Sequence, residues 1–460
     1  MPRNRLSLVT GAAGLVLASA LALSACTPGT STKTTNNAAP SGTVSTDPAK
    51  LGQTTLTVLD YFSGGVDDAW MKKVVSSFEA KYPNITIKRT SMSWGDVMQA
   101  LPLKLKSNTP PDIVPANNGW QSLGTLVQGG LVLNLDSYAQ AYGWKSQVPQ
   151  SILAEHEFST DGKNMGTGSL FGMPVARSSM IEVYYNRALL KQLNLDVPKS
   201  YDDFTAALAK AKAANITPIA MGNVEQVGVT TPLYSVMNAL GDQKAIADLT
   251  YSQGSATLSS QDSGFPQAVG ALADWAKKGY FTDHFAGVAG SDAAQAFVDG
   301  KALFHFDYSG SLPLKTGQSA GFGSFILPRN DGKPAVATMS SATNFSVSAK
   351  TKNAAAAAAF LNYAASPAAA QFAVDLGTDP MLAPNVTASG SDPLFTDEVA
   401  NASAVTKNNA SVPYLDWATP TLLTTIEVKM QDLFAGKADA SSVVTAAQAD
   451  DQKFKQSLQK

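Results

Sequence analysis

The segment FGMPVARSSMIEVYYNRALLKQLNLDVPKSYDDFTAALAKAKAANITPIAM, residues 171–221, has strand-like runs on both sides of a helical pattern. The runs MIEVYYN and NITPIAM have the apolar character of buried strands. Between them, Ser200 and Asp203 form a capping-box-like helix start, and Phe204 and Leu208 share one face of the helix. The segment therefore predicts a strand, a helix and a second strand, a unit of layered α/β folds.

The same alternation of strands and helices continues on both sides of this segment. Residues 54–61, TTLTVLDY, alternate apolar and polar side chains as a strand does. A glycine loop follows, and Asp67 can cap a helix that ends at Pro83. Further strand patterns are NITIKRT, PDIVPA, KALFHFDY, FGSFILP and TNFSVSAK, while residues 354–363 and 418–434 read as helices. This order predicts an α/β layered fold with a mainly parallel sheet.

The N-terminal segment has the charged-then-apolar plan of a secretory signal. Met1–Arg5 contains two arginines, and residues 6–25 are almost entirely Leu, Val, Ala, Gly and Ser. An uncleaved transmembrane anchor is the alternative, because the run approaches the ~18 to 20 apolar residues of a membrane span. The sequence LSAC at Leu23–Cys26 resembles the lipobox of bacterial lipoproteins. That resemblance implies a lipoprotein signal peptide at residues 1–25 and lipidation of Cys26.

The residues after Cys26 predict a flexible tether. Residues 26–53 are rich in Thr, Ser, Pro, Asn and Gly and nearly lack large apolar groups, so burial cannot offset the entropy lost on ordering. Cys26 is the only cysteine in 460 residues. Once acylated, it leaves no thiol for a disulfide, a thiolate metal site or a cysteine nucleophile. The fold must therefore be held by its core alone.

The charge balance of the chain limits the classes of partner. The sequence has 34 Lys and Arg against 36 Asp and Glu, for a net charge of -2. A nearly neutral balance argues against nucleic acid or anionic lipid as the main partner. A chain of this length buries most of its unfolded surface, so a large soluble domain without further anchors is expected after residue 53.

Several motifs in a fixed order resemble one known family. They are PPDIV, the 171–221 segment with its YYNRALL-to-PKSYDDF spacing, AFVDGKALFHF, FGSFILP, NFSVSAKTKNAAAAAAFLNYAASP and a late YLDW. Together they resemble the extracellular solute-binding proteins of ABC sugar importers, especially the maltose-binding-protein-like group. The resemblance extends from Thr54 over most of the chain.

This resemblance implies a two-lobed periplasmic-binding-protein fold of type II, α/β in both lobes, with hinge crossovers and a central ligand cleft. It implies crossovers near Pro174, near Ser340 and near Val399. The implied segments are lobe 1 at residues 54–173 plus 342–398, and lobe 2 at residues 174–341 plus 399–460. Closure of two lobes about a ligand is hinge motion, driven by contacts that are better in the closed form.

A sugar site needs aromatic rings for the C–H faces of pyranoses and paired donors and acceptors for their hydroxyls. The resemblance implies that Trp417 stacks on sugar and that the loop PANNGW lines the cleft. It also places the loops after the ITPIAM and FHFDY strands in the cleft. The candidate ligand-binding residues are Trp417, Trp120, Trp94, Asn117, Asn118, Asp307, Tyr308, Arg177, Glu225, Gln226, Asn223, Ser63, Gly64 and Asp416.

Each of these candidates also has a plainer interpretation. A tryptophan is often a core residue, and the asparagines of PANNGW can be ordinary turn residues. Asp416 can accept from a hydroxyl or cap the next helix, and Arg177 can fork to two hydroxyls or bridge a carboxylate. An aromatic residue common in relatives is missing from the loop GNVEQ, and GSL replaces their tryptophan after FHFDY, so Tyr308 can take over as the ring.

Enzyme chemistry has little support in the sequence. The three histidines, His156, His284 and His305, lie in dissimilar contexts and have no metal-ligand spacing. The acids are scattered rather than paired as a glycosidase requires. We therefore expect no catalytic residue, no metal and no cofactor.

The sequence thus predicts a lipid-anchored receptor on the outer face of the bacterial cytoplasmic membrane. It would be a monomer that captures a mono- or oligosaccharide between two closing lobes and delivers it to ABC permease subunits. Two alternatives stay open: a binding protein for another neutral solute such as a polyol, and a surface carbohydrate hydrolase.

The lipid anchor can be tested at its single thiol. We expect Cys26→Ser to abolish metabolic labelling with a radioactive fatty acid, because the acyl chains need the thiol. The domain should then be released, or held only by its uncleaved signal, while ligand binding in solution persists. Undiminished labelling of the variant would refute the assignment.

Overall fold

The computed structural model describes residues 44–175, 178–224, 227–315, 317–341, 344–377 and 392–459. The signal peptide, Cys26 and most of the predicted tether lie outside this part of the chain. Arg177, Glu225 and Gln226 also lie outside it. Among the residues described, no helix is both long and apolar enough to span a bilayer.

Thirteen strands are described, and eleven of them form two sheets. The strands are β1 Thr54–Asp60, β2 Ile85–Ser91, β3 Ile113–Ala116, β4 Glu157–Phe158, β5 Ser169–Leu170, β6 Met173–Pro174, β7 Ser178–Asn186, β8 Thr217–Ala220, β9 Ala302–Tyr308, β10 Phe322–Phe325, β11 Ala337–Ser341, β12 Asn344–Val347 and β13 Ser411–Val412. The first sheet has the order β2-β1-β3-β12-β6. The second has the order β13-β11-β7-β9-β8, with β10 paired to β7, and β4 pairs with β5.

Seventeen α-helices lie in the described part of the chain and cover the sheets. They are α1 Gly65–Lys81, α2 Trp94–Lys106, α3 Leu123–Gln128, α4 Asp136–Tyr142, α5 Trp144–Gln147, α6 Gln150–Ala154, α7 Arg187–Gln192, α8 Tyr201–Ala213, α9 Thr230–Leu240, α10 Gln243–Thr250, α11 Phe265–Lys277, α12 Gly290–Val298, α13 Ala354–Ala364, α14 Pro367–Asp375, α15 Pro393–Lys407, α16 Leu422–Phe434 and α17 Ala440–Leu458. A short 3₁₀ helix at Leu415–Ala418 precedes α16.

The central segment folds as its pattern predicts. Strand β7 leads to the short helix α7, then to α8 and β8. The Ser200 hydroxyl accepts a hydrogen bond from the Asp203 N–H at 3.0 Å, which caps α8. Phe204 and Leu208 are fully buried on the face of α8 that meets the sheet. The predicted strand, helix and strand are therefore confirmed.

Two details of the prediction are wrong. Helix α1 begins at Gly65, so Asp67 lies in its first turn and does not cap it. The sheets are mixed rather than mainly parallel: β7 runs antiparallel to β9, β10 and β11, and β12 runs antiparallel to β3 and β6. The physical reason is that the chain crosses between the sheets. A strand that enters a sheet just after a crossing runs away from the crossing point, so it is antiparallel to neighbouring strands that end there.

The chain passes between the two sheets more than once. It leaves the first sheet after β6 and enters the second at β7, and it returns from β11 to β12. These passages lie near Pro174 and Ser340.

Helix α15 packs on the second sheet from its first turns, which bears on the boundary predicted near Val399. The Glu398 carboxylate accepts from the Tyr184 hydroxyl of β7 at 2.7 Å, and Asp397 pairs with Arg187 at 2.6 Å. Leu394 is buried in the same apolar cluster as Tyr184. The crossover expected near Val399 would fall inside this continuous helix. We therefore propose that residues 393–398 belong to the second lobe rather than the first.

Candidate functional site

The carboxyl ends of the strands lie at the edges where the chain crosses between the sheets. In the first sheet the last residue of β3, Ala116, is paired with Asn344, which begins β12 just after a crossover. In the second sheet the last residue of β9, Tyr308, is paired with Ile181 near the start of β7. Ligands of α/β proteins bind at the carboxyl ends of strands. The loops at these edges are therefore the candidate site.

The loop after β1 carries Ser63 and Gly64, and both are exposed. The Tyr61 ring that begins this loop packs edge-on against the Trp94 ring, with centroids 4.7 Å apart. Trp94 is the first residue of α2, whose cap is the Ser93 hydroxyl. The Trp94 side chain is 40% exposed, so one part of its ring is free to meet a ligand.

The loop after β3 is held by buried polar groups. The Asn118 amide donates to Glu155 Oε2 at 3.1 Å, and its oxygen accepts from Asn344 Nδ2. His156 Nδ1 lies 2.9 Å from the same oxygen. Burial raises the pKa of Glu155 well above its usual range and lowers the pKa of His156 to about 3. Burial therefore favours the uncharged forms of both groups, and Asn118 is a member of this buried network rather than an exposed donor.

Trp120 and Trp417 meet where two distant segments of the chain touch. The Trp120 N–H donates to the Trp417 carbonyl at 3.0 Å. Gly119 has a φ of +78°, and a Cβ built on it would lie 2.2 Å from the Trp417 Cβ. Trp120 is 1% exposed and Trp417 is 3% exposed. Their burial favours packing as their main role, and their predicted contact with sugar stays a prediction.

A cavity of about 220 Å³ opens at the carboxyl ends of β8 and β9. Its walls include Asp307 and Tyr308 from β9, Gly222 after β8, and Thr231 at the start of α9. Asp307 Oδ2 lies 3.4 Å from His305 Nε2, and its Oδ1 accepts from the Tyr308 N–H at 2.8 Å. The cavity combines small apolar walls with one carboxylate and one imidazole, as expected for a site that holds a polar ligand.

Aromatic rings continue from this cavity toward Trp417. The Tyr308 ring, 38% exposed, lies 6.3 Å from the Tyr414 ring, which lies 5.1 Å from Trp417. Tyr308 is thus an exposed ring at the end of the FHFDY strand, and its predicted contact with sugar stays a prediction. Tyr414 is a member of this set that the prediction missed, although the quoted YLDW motif begins with it.

Asn223 directly follows the cavity wall at Gly222. Its side chain is fully buried, and its oxygen accepts from the Val229 N–H at 3.0 Å. Within the described part of the chain, its Nδ2 has no hydrogen-bond partner. The Asn223 carbonyl accepts from Gln431 of α16 at 3.3 Å. Asn223 thus shapes this loop from within, while Asn117, which is half-buried, lies on the opposite loop.

Asp416 is a buried carboxylate between the two segments. Its Oδ1 accepts from the Tyr234 hydroxyl at 2.8 Å, and its Oδ2 lies 3.3 Å from Gln121 Nε2. Burial raises the pKa of Asp416 to about 6, although the hydrogen bonds from Tyr234 and Gln121 favour the charged form. Burial, and then the charge of Asp416, raise the pKa of Glu427 on α16 to about 7.

A second and larger cavity, of about 580 Å³, lies elsewhere. Its lining includes Glu155, Lys244, Tyr251, Arg329 and Lys333. It shares no lining residue with the smaller cavity, and none of the predicted site residues within the described part lines it. In the same part of the chain, no cluster of His, Cys, Asp or Glu has the arrangement of a metal site.

The burial of Trp417 generates a first prediction for this site. Trp417→Ala should lower the free energy of unfolding by ~3 to 5 kcal/mol, because it opens a cavity beside Gly119 and Tyr414. Trp94→Ala removes a half-exposed ring and should cost less than about 1 kcal/mol. Urea unfolding of both variants measures the difference. A Trp417→Ala protein as stable as wild type would contradict the packing role.

The raised pKa of Asp416 leads to a second prediction for this site. A carboxyl group whose pKa is higher in the folded state contributes stability that is present below its unfolded pKa, near 3.8, and is lost as the pH rises through about 6. Asp416→Asn removes this loss and also the charge that raises the pKa of Glu427. The free energy of unfolding should therefore fall less between pH 4 and pH 7 in the variant than in wild type. Equal slopes in urea titrations at several pH values would contradict this.

Comparison with known proteins identifies the family. The profile of the family described as "Bacterial extracellular solute-binding protein" matches residues 63–371, which is more than half of the chain. A relative named "Multiple sugar-binding protein", from Streptococcus mutans serotype c, is 26% identical over 357 residues. That alignment covers 74% of this chain and 80% of the relative.

Solved structures agree with this match. A structure described as a chitin oligosaccharide binding protein has a TM-score of 0.71 at 20% identity and covers 88% of this chain and 100% of its own. A probable secreted solute-binding lipoprotein from Streptomyces coelicolor has a TM-score of 0.68 at 16% identity and covers 89% and 100%. The predicted two-lobed α/β fold of the maltose-binding-protein-like group is confirmed. The chain belongs to the family of bacterial extracellular solute-binding proteins.

Proposed function

We propose that the protein is the substrate-binding lipoprotein of an ABC transporter and that it captures a mono- or oligosaccharide. The ligand binds between the strand ends of the two sheets, with the Tyr61 and Trp94 rings on one side and the Tyr308 ring on the other. Closure of the lobes removes water from the sugar, and the closed form is presented to permease subunits.

The observation that carries this proposal is the position of the half-exposed aromatic rings. Trp94 and Tyr308 are among the few large hydrophobic side chains of the described residues that are more than a third exposed. Tyr308 ends β9 of the second sheet, and Trp94 begins α2, just after β2 of the first sheet. The C–H face of a pyranose is a suitable partner for rings exposed in this way.

The polar groups beside these rings fit the hydroxyls of a sugar. Asp307 lines the 220 Å³ cavity and has a partly exposed carboxylate, while Thr231 and His305 line the same space. No lysine or arginine is among the residues that line this cavity in the described part of the chain. This chemistry favours an uncharged, hydroxyl-rich ligand over an anion. The names of the Streptococcus mutans relative and of the chitin oligosaccharide binding protein support the same class of ligand.

The anchor and the location form part of the proposal. Cys26 at the end of the signal is the site of lipidation, and the residues after it tether the domain to the outer face of the cytoplasmic membrane. The description of the Streptomyces coelicolor protein as a lipoprotein supports this arrangement. The protein acts as a monomer. It has no catalytic role, because Asp416 and Glu427, the two neighbouring acids near the rings, are 7% and 9% exposed and do not flank an open cleft.

A panel of ligands tests the ligand class. Thermal melts of the full chain with maltose, raffinose, xylobiose, N,N′-diacetylchitobiose, galactose and xylitol should show stabilisation by at least one saccharide. A ligand at 100 times its dissociation constant adds ~2.7 kcal/mol to the free energy of unfolding. A shift with xylitol alone would support the polyol alternative, and the absence of any shift would contradict the proposal.

The site itself is tested by Tyr308→Ala. Removing this ring should cost ~2 kcal/mol of binding free energy, which is a roughly 30-fold loss of affinity for the saccharide that stabilises wild type most. Leu103→Ala is the control, because Leu103 is a 76% exposed apolar residue of α2 and should not affect binding. Titration calorimetry measures both, and equal affinities of the two variants would exclude Tyr308 from the site.

A further inference from the structure

The Arg89 side chain bonds to three parts of the chain next to the first sheet, namely a strand end, a loop and a helix start. Its Nη2 donates to Asp60 Oδ1 at 3.0 Å and its Nε to the other oxygen of the same carboxylate. Its Nη1 donates to Asp68 Oδ1 at 2.6 Å, and Nη2 also donates to the Phe62 carbonyl. Asp60 ends β1, Phe62 lies in the loop, and Asp68 lies in the first turn of α1. One guanidinium therefore fixes both ends and the middle of the loop after β1.

The strand that carries Arg89 explains why it reaches these groups. In β2, Ile85 and Ile87 are buried, while Thr86 and Lys88 are exposed. The two-residue period of a strand places Arg89 on the face of Ile85 and Ile87, the side on which α1 packs. Only 14% of the Arg89 side chain is exposed. A planar guanidinium with five donors can serve a carboxylate, a carbonyl and a second carboxylate at once, which a lysine cannot.

The loop held in this way carries the Tyr61 ring. Asp60 is fully buried and also accepts from the Phe62 N–H at 2.9 Å and from the Ser91 hydroxyl at 2.6 Å. Tyr61 lies between two residues, Asp60 and Phe62, that Arg89 binds directly. Its ring meets the Trp94 ring at 76° with centroids 4.7 Å apart, a favourable edge-to-face arrangement.

We propose that Arg89 is a positioning residue for ligand binding: it holds the Tyr61 ring against Trp94 and thereby sets the exposed face of Trp94 as the stacking surface of the first sheet. Arg89 itself does not touch the ligand. This inference rests on the proposed function, because it assigns a purpose to the ring pair that the ligand meets.

The second lobe offers a matched control. Arg187 donates to the Phe322 carbonyl at 2.7 Å, to the Tyr185 hydroxyl at 3.0 Å and to Asp397 at 2.6 Å. It therefore also joins a backbone carbonyl to a carboxylate. Arg187 directly follows the carboxyl end of β7, whereas the chain arrives from the first sheet at the amino end of β7. Arg187 therefore lies away from the place where the chain crosses between the sheets, and it holds none of the candidate site residues.

The test compares Arg89→Met with Arg187→Met in the full chain labelled with 5-fluorotryptophan. The chain has six tryptophans, and Trp94→Phe identifies the Trp94 signal in the ¹⁹F spectrum. We expect the Trp94 signal to shift or broaden in Arg89→Met and to stay in place in Arg187→Met. Affinity for the saccharide of the panel that stabilises wild type most should fall roughly tenfold in Arg89→Met and less than twofold in Arg187→Met. Both variants should melt at a lower temperature.

A second variant keeps the inference testable if Arg89→Met does not fold. Tyr61→Leu leaves the Arg89 contacts in place but removes the ring, and it should reproduce the loss of affinity and the changed Trp94 signal. Wild-type affinity and an unmoved Trp94 signal in Arg89→Met, or in Tyr61→Leu, would overturn the inference. If wild type bound no saccharide of the panel, the proposed function would fail, while the Trp94 signal would still show whether Arg89 sets the ring pair.

Discussion

The site depends on a backbone contact between two segments that are almost 300 residues apart. The Trp120 N–H donates to the Trp417 carbonyl, and Gly119 lies against the Trp417 side chain with a φ of +78°. A side chain at Gly119 would collide with Trp417, and its positive φ is strained for other residues. The loop after β3 and the segment before α16 are thereby fixed to each other. Asp416 and Tyr414, which lie in the segment before α16, are thereby held near the loop after β3.

A network of buried polar groups around Asn118 holds the loop that makes this contact. Asn118 is bonded to Glu155 and to Asn344, so the loop after β3 is tied to α6 and to the strand that follows a crossover. Burial raises the pKa of Glu155 and lowers the pKa of His156, so it favours the uncharged form of each group and lowers the cost of a buried unpaired charge. A network that joins the site to a crossover strand is a means by which ligand contacts and lobe movement can be coupled.

Sequence patterns predicted the elements of the fold better than the exposure of the site residues. The Ser200 cap and the apolar face of α8 are local features, and the structure bears both out. Strand direction depends on how often the chain crosses between sheets, which no local pattern records. The prediction of a mainly parallel sheet was therefore wrong. The sequence alone does not distinguish a buried tryptophan from an exposed one. Only the packing of Gly119 and Tyr414 makes Trp417 a buried residue, and only the loop position leaves Trp94 and Tyr308 exposed. Arg89 was missed because its role comes from contacts with Asp60, Phe62 and Asp68 in three different elements.

The central proposal is that a saccharide binds between the strand ends of the two sheets. A crystal structure of the complex with the saccharide of highest affinity tests this most directly. We expect a sugar ring in contact with Tyr308 at the 220 Å³ cavity and within reach of Trp94 beside the first sheet. A sugar found instead in the 580 Å³ cavity, against Glu155 and Tyr251, would contradict it.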